Sequence, residues 1–228
     1  EKADPPASLA RREPKDFDDI RAARADGSRR LWESFDAKAY ADRVKGAFLA
    51  RAAGCTLGAP VEGWKPQQMA DLAEHNGDPF PPTDYWSWVD QPYRVRYGKD
   101  AKSAYTRERM RYIPVDDDMT YTVLGLLILE DHGVRFGTAD VGEAWTKYLP
   151  VACTAEKVAL ENLRAGRSWR TAGEKANPFM EWIGADIRSD PWGYLAPGWP
   201  QRAADLAWRD AWVSHRRSGL YGAVFFSA

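Results

Sequence analysis

The chain has 228 residues, 44% of them hydrophobic, and a formal net charge of −1; that length supports one sizeable core or two small ones, with one domain as the default. The near-neutral balance argues against nucleic acid or an anionic membrane surface as partner. No apolar segment reaches the ~18–20 residues that a bilayer-spanning helix needs: the nearest, Val44 to Val61, is interrupted by Lys45 and Arg51.

Residues 1–35 are rich in charge and alanine, with few apolar positions beyond Leu9, Phe17, Ile20, Leu31 and Trp32. They read as a loose N-terminal extension with a short helix around Asp16 to Ala25. The chain begins at Glu1, which leaves a removed targeting segment open, with a cytoplasmic setting as the expectation. Asp36 is placed to cap a helix whose Tyr40, Val44, Ala47, Phe48 and Ala52 share one face at spacings of three and four. That helix is expected to end in the stretch Ala53 to Trp64, where Gly54, Gly58 and Pro60 favour a turn that delivers Glu62. A single Glu after a glycine-rich turn is usually a surface residue, and Glu62 reads so here, with a catalytic carboxylate as the alternative.

A polar helix is expected over Lys65 to His75, then an irregular stretch from Gly77 to Ile113. Helices follow over Asp117 to His132, Thr138 to Tyr148 and Thr154 to Ala165, with Gly133 and Gly166 as stop signals. The run from Val123 to Leu129 is apolar on every side apart from Gly125, so a helix here is expected to be buried all round. Asp116, Asp117 and Asp118 open onto it. Successive helical side chains diverge by about 100°, so the three carboxylates converge only if the first stands outside the helix. Helix capping and a hard cation such as Mg²⁺ both answer to that pattern.

Residues 177–200 gather aromatics, glycines, Arg188 and two aspartates, and read as a binding loop or as turn chemistry. The last clear helix is expected to run from Gln201 to His215. Within it Ser214 and His215 point about 100° apart, so a nucleophile and base pair is not expected there, and His215 is open to a structural or a ligand-binding role. Gly222 to Ala228 is an apolar run without a cap, from which a further C-terminal portion is expected. The eleven tryptophans, among them Trp64, Trp86, Trp88, Trp192 and Trp199, suit core packing singly and a ligand-lining cleft collectively. Cys55 and Cys153 lack partners at metal-ligand spacing and read as buried thiols. No alternating pattern supports a sheet, so the fold expectation is all-α.

Four stretches in this order resemble the ADP-ribosylglycohydrolase family, including its bacterial relatives of the dinitrogenase-reductase-activating type. They are Asp42 to Glu62, Asp116 to Thr122, Glu181 to Tyr194 and Ala203 to Ala223, and the resemblance covers residues 36–228 as one helical domain. It implies a compact orthogonal bundle of helices holding two Mg²⁺ ions, and hydrolysis at the anomeric carbon of a ribose in an ADP-ribosyl conjugate or a related N-riboside. Carried over by position, Asp116, Asp117 and Asp118 are metal ligands, and Glu62 and Asp117 are catalytic. Asn177, Trp182, Gly184, Arg188, Trp192, Tyr194 and His215 bind substrate. The chain departs from the family in carrying Gly54-Cys55 where many members have Gly-Asp, and three aspartates where Thr-Asp-Asp is more common. The second metal motif, an Asp-x-Asp cluster, is expected beyond Ala228 or from a second chain. A non-catalytic member that binds ligand or serves structurally is the alternative expectation.

Overall fold

The computed structural model describes residues 8, 12–89 and 103–228; residues 1–7, 9–11 and 90–102, which include Leu9 and part of the irregular stretch, lie outside them. The protein is all-α, with no strand among the described residues. Residues 36–119 form one compact unit, and residues 1–35 with 120–228 form another.

In the first unit, Asp36 Oδ1 accepts from the backbone N–H groups of Lys38 and Ala39 at 2.9 and 3.0 Å and starts the helix over Ala37–Gly58. Counting α1 as Phe17–Ala22, this is α2. The expected turn after Ala52 does not occur. The helix continues to Gly58 and tightens into a 3₁₀ turn over Ala59–Val61. Glycine costs a helix about 1 kcal/mol against alanine without breaking it, and Pro60 falls where its missing N–H is tolerated. Helix α3, Pro66–Asn76, begins with the Gln68 side chain accepting from the Lys65 N–H at 2.9 Å and stops at Gly77, whose φ of 69° suits glycine. Val61, Leu72, Ala73, Trp86 and Val89 make the core here, with Trp64 packed against it. The Trp86 indole N–H donates to the Leu57 carbonyl at 3.0 Å.

The second unit contains α1, the residues of α4 (Asp117–His132) from Thr120 onward, α5 (Thr138–Tyr148), α6 (Thr154–Arg164), α7 (Trp169–Ala172), α8 (Asp190–Tyr194), α9 (Pro200–Ala211) and α10 (Ser218–Ser227). Helix α4 presents Tyr121, Leu124 and Ile128, at spacings of three and four, to a core that also takes Trp145, Trp192 and Leu206. Its other face departs from expectation: Val123 and Leu126 are 46% and 54% exposed. One buried stripe suffices to dock a helix, so a run that is apolar all round does not by itself oblige burial all round. Gly125 is required by packing, since a Cβ there would stand 2.9 Å from the Pro191 ring at the start of α8. A smaller core joins Ala211, Trp212 and Leu220 to Ile20 and Trp169.

Residues 12–35 are tied into this unit. Lys15 O accepts from the Trp208 indole N–H at 2.9 Å, Pro14 O from the Tyr221 hydroxyl at 2.5 Å, and Gly198 O from the Leu31 N–H at 2.7 Å. The thiols diverge from one another. Cys55 is half-buried, whereas Cys153, expected to be buried, is exposed because it stands just before α6 rather than inside it.

Candidate functional site

The acidic cluster is built by the start of α4. Asp116 stands outside the helix and Asp117 is its first residue, which is the arrangement that lets three consecutive side chains converge. One carboxylate oxygen from each of Asp116, Asp117 and Asp118 lies within 4.8 Å of the others. The cluster is braced from within its own unit: the Tyr105 hydroxyl donates to Asp116 Oδ2 at 2.9 Å, and the Arg51 guanidinium donates to the Asp118 carbonyl at 3.2 and 2.8 Å. Mutual repulsion is visible in the protonation of the group. Partial desolvation, then hydrogen bonding with Asp116 and the charges of Asp116 and Asp118, push the Asp117 carboxyl up to about 6. Asp118 is likewise raised, first by desolvation and then by Asp116, with Glu62 adding to the effect. Glu62 is exposed and follows the 3₁₀ turn over Ala59–Val61. The Cys55 thiol is raised by burial and by the charge of Asp118, so it meets the cluster as a thiol.

The second unit carries a fully buried polar cluster around Arg188. This residue closes a 3₁₀ segment over Ile183–Arg188 and is 2% exposed. Its Nε donates to Asp210 Oδ2 at 2.6 Å, its Nη1 to Glu156 Oε1 at 2.7 Å and its Nη2 to Ser214 Oγ at 2.7 Å. The guanidinium also lies over the Trp145 ring, 4.9 Å from its centroid. Ser214 Oγ is in turn 2.8 Å from His215 Nδ1. The helical geometry expected to hold Ser214 and His215 apart is absent, because α9 ends at Ala211 and both residues lie beyond it. Burial, followed by the charges of Arg188 and Arg216, lowers the His215 pKa well below its ordinary value, so the ring is neutral.

The residues expected to bind substrate divide by exposure. Asn177 is 5% exposed, and its amide donates to the carbonyls of Ala155, Gly173 and Ser214 at 3.1, 3.0 and 3.2 Å. Trp192 and His215 are 1% and 0% exposed. Gly184 makes room for a neighbour, since a Cβ there would stand 2.2 Å from Glu156 Oε1. Trp182 is 54% exposed and stacks edge-on to Phe179 at 4.9 Å, while half-buried Tyr194 donates to Asp190 at 3.3 Å. Of the other tryptophans, Trp88 lies beneath Arg109 at 4.3 Å and Trp199 beneath Arg30 at 5.3 Å.

Sequence reading passed over Glu156 and Asp210, although both were detectable. Asp210 falls on the stripe Ala203, Leu206, Ala207, Ala211 that α9 buries, and Glu156 sits among Ala155, Ala159 and Leu160 on the buried side of α6. A carboxylate on a buried stripe implies a buried cation, here Arg188.

These features define an all-helical protein with an acidic triad opening one helix and a neutral, enclosed histidine held by a buried arginine cluster. The family model for ADP-ribosylglycohydrolase matches residues 36–228, and the chain belongs to that family. No curated protein and no solved structure matches it. No helix among the described residues is long and apolar enough to cross a membrane.

Proposed function

We propose that the protein is a Mg²⁺-dependent hydrolase that cleaves the glycosidic bond of an ADP-ribosyl conjugate or a related N-riboside. The observation that carries the reading is the convergence of three carboxylates within 4.8 Å at the start of α4, in a chain of this family. The donors fit a hard cation. They are all oxygens, the adjacent Cys55 stays protonated and offers no soft ligand, and the Asp117 carboxyl, raised first by desolvation and also by the charges of Asp116 and Asp118, is one whose ionised form a cation would favour.

Asp116, Asp117 and Asp118 would hold the ion, whose chemistry is to polarise a substrate oxygen and lower the pKa of water. Tyr105 holds the Asp116 carboxylate and Arg51 the Asp118 backbone carbonyl by hydrogen bonds, so this part of the cluster is positioned before any ligand arrives. Glu62 is an exposed carboxylate close enough to Asp118 to raise its pKa, and is assigned proton transfer at the attacking water or the leaving group. In the other unit, by itself, exposed Trp182 is an aromatic residue of the kind that stacks on a sugar or base. The enclosed Asn177, Trp192 and Arg188 act by shaping and holding the interior.

Release of ADP-ribose from an ADP-ribosylated peptide, and of ribose from simple ribosides, tests this with and without Mg²⁺. The expected outcome is metal-dependent turnover that falls by at least a hundredfold in Asp117→Ala. No turnover from the full-length protein, together with indifference to Asp117→Ala, overturns it. Calorimetric binding of ADP-ribose without hydrolysis under any metal assigns the protein to a ligand-binding role instead.

A further inference from the structure

The buried polar cluster has an orientation that its hydrogen-bond chemistry determines. Arg188 is donor-only, so Ser214 Oγ, at 2.7 Å from Nη2, accepts from it. The serine's single proton is then free to be donated, and the acceptor within reach is His215 Nδ1 at 2.8 Å. A neutral imidazole that accepts at Nδ1 carries its proton on Nε2. On the far side of the ring, Nε2 has no hydrogen-bond partner among the described residues, although it is buried. It lies 3.9 Å from Glu156 Oε1, beyond hydrogen-bonding reach. The opposite tautomer would aim a lone pair at that carboxylate, whereas an N–H pointed there is favoured. Gly219 completes the setting, since a Cβ on it would stand 2.7 Å from His215 Cδ2, so the ring is packed along its edge as well.

We propose that Arg188 is a positioning residue which, acting through Ser214, locks His215 in the neutral Nε2–H form and so presents an enclosed, unsatisfied N–H donor to an acceptor oxygen. Asp210 and Glu156 hold Arg188 by its Nε and Nη1, which leaves Nη2 aimed at the serine. The consequence for chemistry is specific. His215 meets a guest oxygen as a hydrogen-bond donor; it supplies neither a positive charge nor a base at Nε2. This goes beyond hydrolysis and does not depend on it, since the tautomer is a property of the free protein.

Side-chain ¹⁵N–¹H NMR of the ligand-free protein reads the tautomer directly. The chain has three histidines, and a His215→Gln sample assigns the signal. The expected spectrum has His215 protonated on Nε2 and bare on Nδ1, unchanged as the pH is lowered through about 6.5, where a free histidine titrates. Ser214→Ala is expected to weaken the preference, so that an Nδ1–H fraction appears beside the Nε2–H form that the Glu156 carboxylate still favours, and Ser214→Thr to restore it where the fold, checked by circular dichroism, is retained. An Nδ1–H ring or an imidazolium in the wild type overturns the proposal, as does an unaltered tautomer in folded Ser214→Ala. Neither outcome bears on whether the protein hydrolyses ribosides.

Discussion

Arg188 is the side chain on which the interior polar contacts converge, and its neighbourhood allows sharp tests. Removing one member of a buried ion cluster leaves the rest uncompensated, at a cost of about 3–5 kcal/mol. Glu156→Gln and Asp210→Asn are therefore expected to lower the urea midpoint strongly, and midpoints within experimental error of the wild type would show that the cluster is not what holds this interior. Gly184→Ala forces a methyl group against a carboxylate that Arg188 already holds at 2.7 Å, with an expected loss of about 1–3 kcal/mol. His215 makes stability depend on pH with a definite sign. Its folded pKa is depressed by burial and by the charges of Arg188 and Arg216, so the unfolded chain binds the proton first, near pH 6.5. The stability it contributes is complete above about 6.5 and declines below it by about 1.4 kcal/mol per pH unit. Glu156 and Asp210, raised first by burial, titrate with the opposite sign. The quantity to measure is therefore the difference between wild type and His215→Gln, which is expected to fall as the pH drops from 7.5 to 5.5; a constant difference contradicts it.

Among the elements, α2 has a start that rests on the Asp36 side chain. Asp36→Ala removes the acceptor for two backbone N–H groups and is expected to cost about 1 kcal/mol, which denaturant unfolding followed by helical circular dichroism will register. Asp36→Asn is expected to recover most of that loss. Element limits were legible where local chemistry sets them. Helices α4, α5 and α6 start at the expected residues and end within one residue of expectation, because glycines and apolar stripes mark them. The end of α2 was not legible, since Gly54, Gly58 and Pro60 permit a turn without enforcing one. The end of α9 was missed as well: Trp212, Val213 and Ser214 are compatible with a helix, and the chain leaves it because Ser214 and His215 are held by Arg188 and the interior.

At the scale of the whole chain, residues 12–35 are integrated with residues 120–228 by bonds from Trp208, Tyr221 and Leu31 and by the packing of Ile20 against the Trp212 core. Deleting residues 1–35 is expected to lower the melting temperature by about 2–4 °C for each kcal/mol those contacts contribute. Equal melting of the two forms would mean that this segment packs without stabilising. Each unit has its own apolar core, so a single-transition analysis of unfolding is justified only if separate probes coincide. Trp86 in one core and Trp145 in the other are suitable reporters.

Sequence alone was enough for the all-α class, the family and the acidic triad. The class and the triad rest on period, caps and consecutive residues, which act over one or two helical turns, and the family on the resemblance of four stretches in order along the chain. The convergence of Asp116, Asp117 and Asp118 was readable for the same reason, since it needs only that the helix begin at Asp117. Tertiary structure decided what the distant residues do. Gly184, Arg188, Asn177 and His215 are ligand contacts by the resemblance, and the fold places the last three in the interior and Gly184 against Glu156. For Arg188 and Asn177 the partners Glu156, Asp210 and Ser214 stand 22 to 37 residues away. Which carboxylate meets which guanidinium is settled by the packing of α6, α9 and the 3₁₀ segment, because a buried charge is tolerated only where a partner from another element is brought to it.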